Sequence, residues 1–239
     1  GRGALNANTT ANDNTAVGMN ALNANTTGIN NVGVGNSALG ANTTGTENTA
    51  VGYGALDAIT TGQKCTAVGY GALGANTASD NDAFGNDCLA ANTTGNYNTG
   101  VGRLALKANT TGSENVAVGY KALYVATTTS NNTAVGVEAL ENCTAEENTA
   151  VGFRAAEELT TGVRNTVIGA YAGDDMQAAN DNTLIGWEAG HAITGGGNNT
   201  AVGTEAGQDI TIGGNNTCLG HDAGRSNSPS GSITTGDHN

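Results

Sequence analysis

The chain has 239 residues, of which 4% are aromatic and one is proline, and eight basic against 21 acidic side chains leave a formal net charge of −13. So few rings exclude an ordinary aromatic-rich globular core, and the acidic balance disfavours a nucleic-acid backbone or an anionic membrane as partner. No apolar run approaches the roughly 18 residues that a membrane span needs, so no membrane insertion is expected.

From the N-terminus onward one phrase recurs. Its first glycine falls at Gly1, Gly18, Gly35, Gly52, Gly69, Gly85, Gly102, Gly119, Gly136, Gly152, Gly169, Gly186, Gly203 and Gly220, in steps of 17 residues with two single-residue deletions. The unit reads Asn-Thr-Ala-Val-Gly-x-x-Ala-Leu-x-Ala-Asn-Thr-Thr-Gly-x-x. A fixed short period is the signature of a solenoid, in which each coil completes its core only against its neighbours. The 38 glycines lack the every-third period of collagen. The predicted fold is therefore all-β, a parallel β-solenoid (β-roll or β-helix) of about 13 coils. It is read as one domain over 1–239, with a change of subtype near 141–156 and a partial terminal coil at 225–239. The chain opens and closes inside repeats, as expected of a processed chain or a segment of a longer one.

Within a coil, Asn-Thr-Ala-Val-Gly has the β-branched alternation of a short strand. The residue before each motif glycine is always large and apolar (Val17, Val51, Phe84, Ile168), and is expected to point inward. The Thr two residues earlier should share that face by the period of two. Glycine then permits a corner, a fixed Ala (Ala21, Ala38, Ala55) implies close backbone approach, and Thr-Thr-Gly makes a second corner. Such a coil has room for two or three strands, and coils stacked at roughly 4.8 Å would build a rod about 60–65 Å long.

The leading Asn recurs from Asn14 to Asn216; it suits a corner and can form an amide ladder along the stack. After the fixed Ala stands Leu5, then Leu22, Leu39, Leu56, Leu73, Leu89, Leu106, Leu123 and Leu140, replaced later by Ala156, Gly173, Gly190, Gly207 and Gly224. Nearby, the second Asn (Asn8, Asn25, Asn42, Asn76, Asn92, Asn109) gives way to Leu159, Met176, Ile193 and Ile210. Two accounts stand. Core volume moves from one wall to another inside the coil, or the leucines lie outside as a stripe that needs an oligomer partner.

Nine Asn-x-Thr sequons occur. Those in Asn-Thr-Thr share a phase with Ile59 and Ile193 and should pack inward, which leaves Asn131, Asn198 and Asn215, in an expected turn, as the better glycosylation candidates. The residue after the motif glycine varies most and should face solvent. Its aromatics, Tyr53, Tyr70, Tyr120, Phe153 and Trp187, could cap the corner, meet another chain or stack on sugar rings. Tyr53 and Tyr70, in consecutive coils, should lie close. Cys65, Cys88, Cys143 and Cys218 occupy four different phases without Cys-x-x-Cys spacing, so they read as small packed residues rather than a zinc site. His191, His221 and His238 share no phase, and Glu138, Glu157, Glu188, Glu205 and Asp222 are expected singly on an exposed corner. Neither a catalytic pair nor a phosphate loop can be assembled, so no enzyme, metal or cofactor is expected.

The phrase at 48–62 and 115–123 resembles repeats of phage tail fibres and large bacterial surface proteins, and is loosely similar to the head repeats of trimeric autotransporter adhesins. The resemblance implies a left-handed solenoid in an extracellular, virion- or cell-surface fibre that is homo-oligomeric and carries no catalytic residues. Its repeats expect a structural rod. Rival readings are a subunit that adds end to end through open coil edges, and a glycan-binding head using the aromatic corner. Ice binding draws on the Thr content, but adjacent Thr-Thr is expected to turn one side chain inward and to give no flat two-rank array.

Overall fold

The computed structural model describes residues 1–225; the expected terminal coil lies, past its first residue, outside them. Among the described residues there are thirteen strands and no helix, and the fold is a parallel β-solenoid. Two compact units divide the chain, Gly1–Ala117 and Val118–Asn239.

The first unit holds β1 (Thr15–Val17), β2 (Val32–Val34), β3 (Thr49–Val51), β4 (Thr66–Val68), β5 (Asp82–Phe84) and β6 (Thr99–Val101). β7 (Val116–Val118) contains the boundary. The second holds β8 (Thr133–Val135), β9 (Thr149–Val151), β10 (Thr166–Ile168), β11 (Thr183–Ile185), β12 (Thr200–Val202) and β13 (Thr217–Leu219). Within each unit successive strands pair in parallel and in phase, so that Thr49 lies beside Thr66 in one and Thr166 beside Thr183 in the other.

Each coil carries one three-residue strand, not two or three. The rest is turn, because three residues besides the motif glycine adopt positive φ. In one coil these are Asn20 (56°), Leu22 (50°) and Asn30 (60°). Left-handed residues break an extended run wherever they fall. The turns are nevertheless stacked and bonded as a sheet would be. Leu22 N–H donates to the Ala38 carbonyl (3.0 Å) and Leu39 N–H to Ala55 (3.0 Å), while Ser37 N–H donates back to Met19 (2.9 Å). Backbone groups are thereby satisfied without long strands. The motif glycine admits no substitute: at Gly52 (φ 139°) a Cβ would overlap the carbonyl oxygen of Gly69 in the next coil.

The strand faces are the reverse of the expected ones. The middle residue (Ala50, Ala67, Ala83) is buried, and the Thr and Val flanking it face outward, Val51 being 37% exposed. Alternation was legible, but its inward phase was set by what the coil already holds. The leucine after the fixed Ala is fully buried, so the wall opposite it has room only for Ala or Gly. At Gly33 a Cβ would already reach the Leu22 side chain at 3.4 Å.

All eight leucines of the proposed outer stripe, Leu22, Leu39, Leu56, Leu73, Leu89, Leu106, Leu123 and Leu140, have no exposed surface. They cannot form an interface, and the internal account holds. Each also adopts a left-handed φ near 50°. That conformation costs about 1–2 kcal/mol, whereas full burial of a leucine contributes about 1.5–3 kcal/mol. Burial wins by a small margin. From Gly173 onward the strain is relieved: Gly173 and Gly190 take the left-handed place that Leu123, Leu140 and Ala156 hold earlier in the second unit, and Met176, Ile193 and the strand residue Leu184 fill the vacated space. A Cβ at Gly190 would stand 2.7 Å from Leu184 and 2.9 Å from Ile193.

The leading asparagines form the expected ladder. Asn31 Oδ1 accepts from Asn48 N–H (3.0 Å), and Asn31 Nδ2 donates across its own coil to Gly45 O (2.8 Å). The second unit repeats this with Asn182, whose Oδ1 accepts from Asn199 N–H (2.9 Å) and whose Nδ2 donates to Gly196 O (3.0 Å). The left-handed corner residue is not this Asn but the one before it, as at Glu47 and Asp181. A second, shorter ladder runs through Asn76, Asn92 and Asn109, with amide-to-amide distances of 2.7 Å. Ile59 interrupts it and leaves Asn42 Oδ1 buried without a partner.

Candidate functional site

Among the described residues the interior is lined by aliphatic side chains, small residues and the Asn ladders, so candidate sites are sought on the outer columns of the coils. The column after the motif glycine is mostly exposed in both units, with Asn36, Tyr120 and Ala170 half-buried. In the first, Tyr53 and Tyr70 stack with centroids 5.2 Å apart and planes 11° from parallel, each 56% exposed. Their spacing follows directly from placement in adjacent coils. In the second, Phe153 is 42% and Trp187 45% exposed, but Val137 and Ala170 separate the rings in the column. Phe153 instead meets Tyr171 edge-on at 5.2 Å, and the ammonium of Lys121 lies 5.6 Å from the Tyr120 ring and 5.5 Å from that of Tyr124. Tyr171 and Tyr124 were not singled out in the sequence. The missed signal is diagonal adjacency, one residue past a glycine in one coil beside two residues past it in the next.

The carboxylates are not spread singly. Glu138, Glu141 and Glu157 bring ligand atoms within 4.8 Å of one another, and so do Asp174, Asp175 and His191, and Glu205, His221 and Asp222. Stacking at nearly constant spacing places acids about one repeat apart side by side, although they differ in sequence phase. Cations sit among them: Lys121 Nζ reaches Glu141 at 2.8 Å, Arg154 bonds Glu157, and Arg225 bonds Glu205 and Asp222. Glu157, expected at an exposed corner, is buried. Desolvation raises the Asp174 carboxyl to about 6 despite the neighbouring Arg154. Lys121, Arg154 and Arg225 thus pair charge with these acids.

The four thiols are free and buried. Desolvation holds Cys65 and Cys143 at about 11 and Cys88 at about 12, so they stay protonated and inert near neutrality. Among the sequons, Asn25, Asn42, Asn92 and Asn109 are buried in the second ladder, where no glycan could be attached. Asn131, Asn198 and Asn215 are exposed at left-handed corners with φ of 62°, 59° and 60°.

The remaining outer surface is the strand face itself, which the inverted alternation exposes. In the second unit all six strands begin with Thr and end with Val, Ile or Leu, in register from β8 to β13. In the first unit Val32, Asp82 and Phe84 interrupt the pattern. The face was hidden from sequence reasoning by the assignment of Thr and Val to the interior. Comparison with protein-family models, curated proteins and solved structures returned no match.

Proposed function

We propose that the protein is a non-catalytic structural module of an extracellular fibre or adhesive appendage on a virion or cell surface, assembled from copies of itself. The observation that carries this reading is the density of coil-to-coil bonding. Within each unit the strands, the turns and the buried Asn ladder all tie a coil to the next, as between Asn165 and Asn182 (3.0 Å). Cohesion directed along the stack is what a fibre needs, whereas an enzyme needs a cleft with convergent reactive groups. The first test is light scattering with electron microscopy of the purified chain, followed by immunogold labelling of the source particle or cell. Slender oligomeric particles and surface label are expected. Compact monomers, or label confined to the cell interior, would overturn the proposal.

The exposed Tyr53–Tyr70 stack favours a second reading, a glycan contact used many times in an assembled fibre. A glycan array probed with the assembled protein tests it: binding should vanish in Tyr53→Ala/Tyr70→Ala, and an array without signal from the unaltered protein rejects it.

A further inference from the structure

Ten strand-face threonines recur through the described coils, and their hydroxyls differ from those of the corners. At the corner, the first Thr of the Thr-Thr pair spends its hydroxyl internally: Thr43 Oγ1 donates to Thr60 O (3.0 Å) and Thr160 Oγ1 to Gln177 O (2.9 Å). Neither corner residue is buried, so the expectation that one of the pair turns inward does not hold. On the strand face of the second unit, Thr133, Thr149, Thr166, Thr183, Thr200 and Thr217 face outward with no hydrogen bond from their hydroxyls. Beside this rank runs one of methyls, among them Val151, Ile168, Ile185 and Val202. No ionisable side chain belongs to either rank.

From this arrangement we propose a further activity, independent of the fibre reading: the Thr/aliphatic face of β8–β13 binds the surface of ice. Parallel in-register strands repeat the hydroxyls at about 4.8 Å along the stack, and alternate residues stand about 6.7 Å apart across it. That is a regular two-dimensional net with spacings close to the repeats of oxygen rows in hexagonal ice. β-Branched side chains have few rotamers, so the net is rigid before contact and loses little entropy on binding. Open hydroxyls can join a water lattice, the methyls exclude disordered water, and the absence of charge avoids desolvating an ion.

Area and charge argue against a second copy as occupant. Six strands at about 4.8 Å with a face about 10 Å wide offer roughly 300 Å², and twice that still falls short of the roughly 800 Å² per partner of a stable protein interface. A net charge of −13 adds repulsion between copies that so small a face does not offset, whereas a larger contact elsewhere on the chain can. An ice surface, being extended, neutral and periodic, meets neither objection.

Nanolitre osmometry of the full chain tests the proposal, with crystal shape recorded under the microscope. The unaltered protein should open a gap between melting and freezing points and grow faceted crystals. Thr183→Lys, at the centre of the face, should reduce the gap at least tenfold with an unchanged circular dichroism spectrum. Thr161→Lys, at an exposed corner of the same unit, should leave it intact. Thr200→Lys, at a more exposed place on the face, repeats the test should Thr183→Lys fail to fold. Round crystals without a gap from the unaltered protein, or a full gap from a folded face variant, would overturn the proposal. So would a dimer, seen by light scattering, that dissociates in the face variants, because the face would then belong to a second copy.

Discussion

Coils of the first unit line one interior wall with leucine and another with asparagine, whereas those from Ala156 onward use glycine or alanine on the first wall and an aliphatic side chain on the second. The cross-section survives the exchange because the left-handed backbone at the first wall does not change: Leu56 has φ 51° and Gly190 φ 60°. The first solution accepts leucine strain and a buried amide ladder. The second relieves the strain and fills the coil from Met176, Leu184, Ile193 and Ile210. Backbone geometry is the constant of this fold, and core composition is free to vary around it provided volume is kept.

The most severe way to break that equivalence is to combine the two solutions in one coil. Gly190→Leu meets Leu184 and Ile193 and should cost about 3 kcal/mol or more, read as a fall in the urea midpoint. Adding Ile193→Asn and Leu184→Ala should recover at least half of the loss. Failure of the triple variant to recover would show that the two cores are not exchangeable. In the other direction, Leu56→Ala keeps the left-handed place but empties the wall, and should destabilise by about 2–4 kcal/mol.

The ladder is the next largest effect. Asn98 Oδ1 accepts from Asn115 N–H (3.1 Å) and its Nδ2 donates to Gly112 O (2.8 Å), so Asn98→Ala orphans buried groups on both sides. A cost of about 1–3 kcal/mol is expected by denaturant titration, with Asn98→Asp recovering little at neutral pH.

Smaller still is the pH dependence at Asp174. Its carboxyl is raised to about 6 in the fold against 3.8 for an ordinary aspartate. The neutral form is therefore favoured by folding; the stabilisation is fully present below about pH 4 and is lost as the pH rises through about 6. The melting temperature should rise by a few degrees between pH 7 and pH 4.5 at this site, and Asp174→Asn should remove that part of the slope. The smallest effect belongs to the surface: Tyr53→Ala should cost about 0.5–1.5 kcal/mol, the worth of one aromatic pair, without altering the circular dichroism spectrum.

Periodicity was fully legible in the sequence. The recurring glycine and the leading Asn announced a solenoid and an amide ladder, since each is a one-dimensional record of what stacks on what. The exchange of Leu for Gly beside Asn for Ile left an internal and an external account open until the leucines were seen to be buried. What could not be read was which side of a two-residue alternation faces in. Thr-Ala-Val offers either a large or a small inward residue, and hydrophobicity favours Val. The structure chose Ala, because the buried left-handed leucine of the same coil leaves room for nothing larger. That choice also decided the outer surface by placing the Val and Thr ranks in water, while the stacking of coils brought separate acids such as Glu138 and Glu157 together. Sequence alone determined the repeat and the ladder through spacing along the chain. Only the tertiary structure decided the inner and outer faces, because that depends on how side chains from different parts of one coil share a single narrow interior.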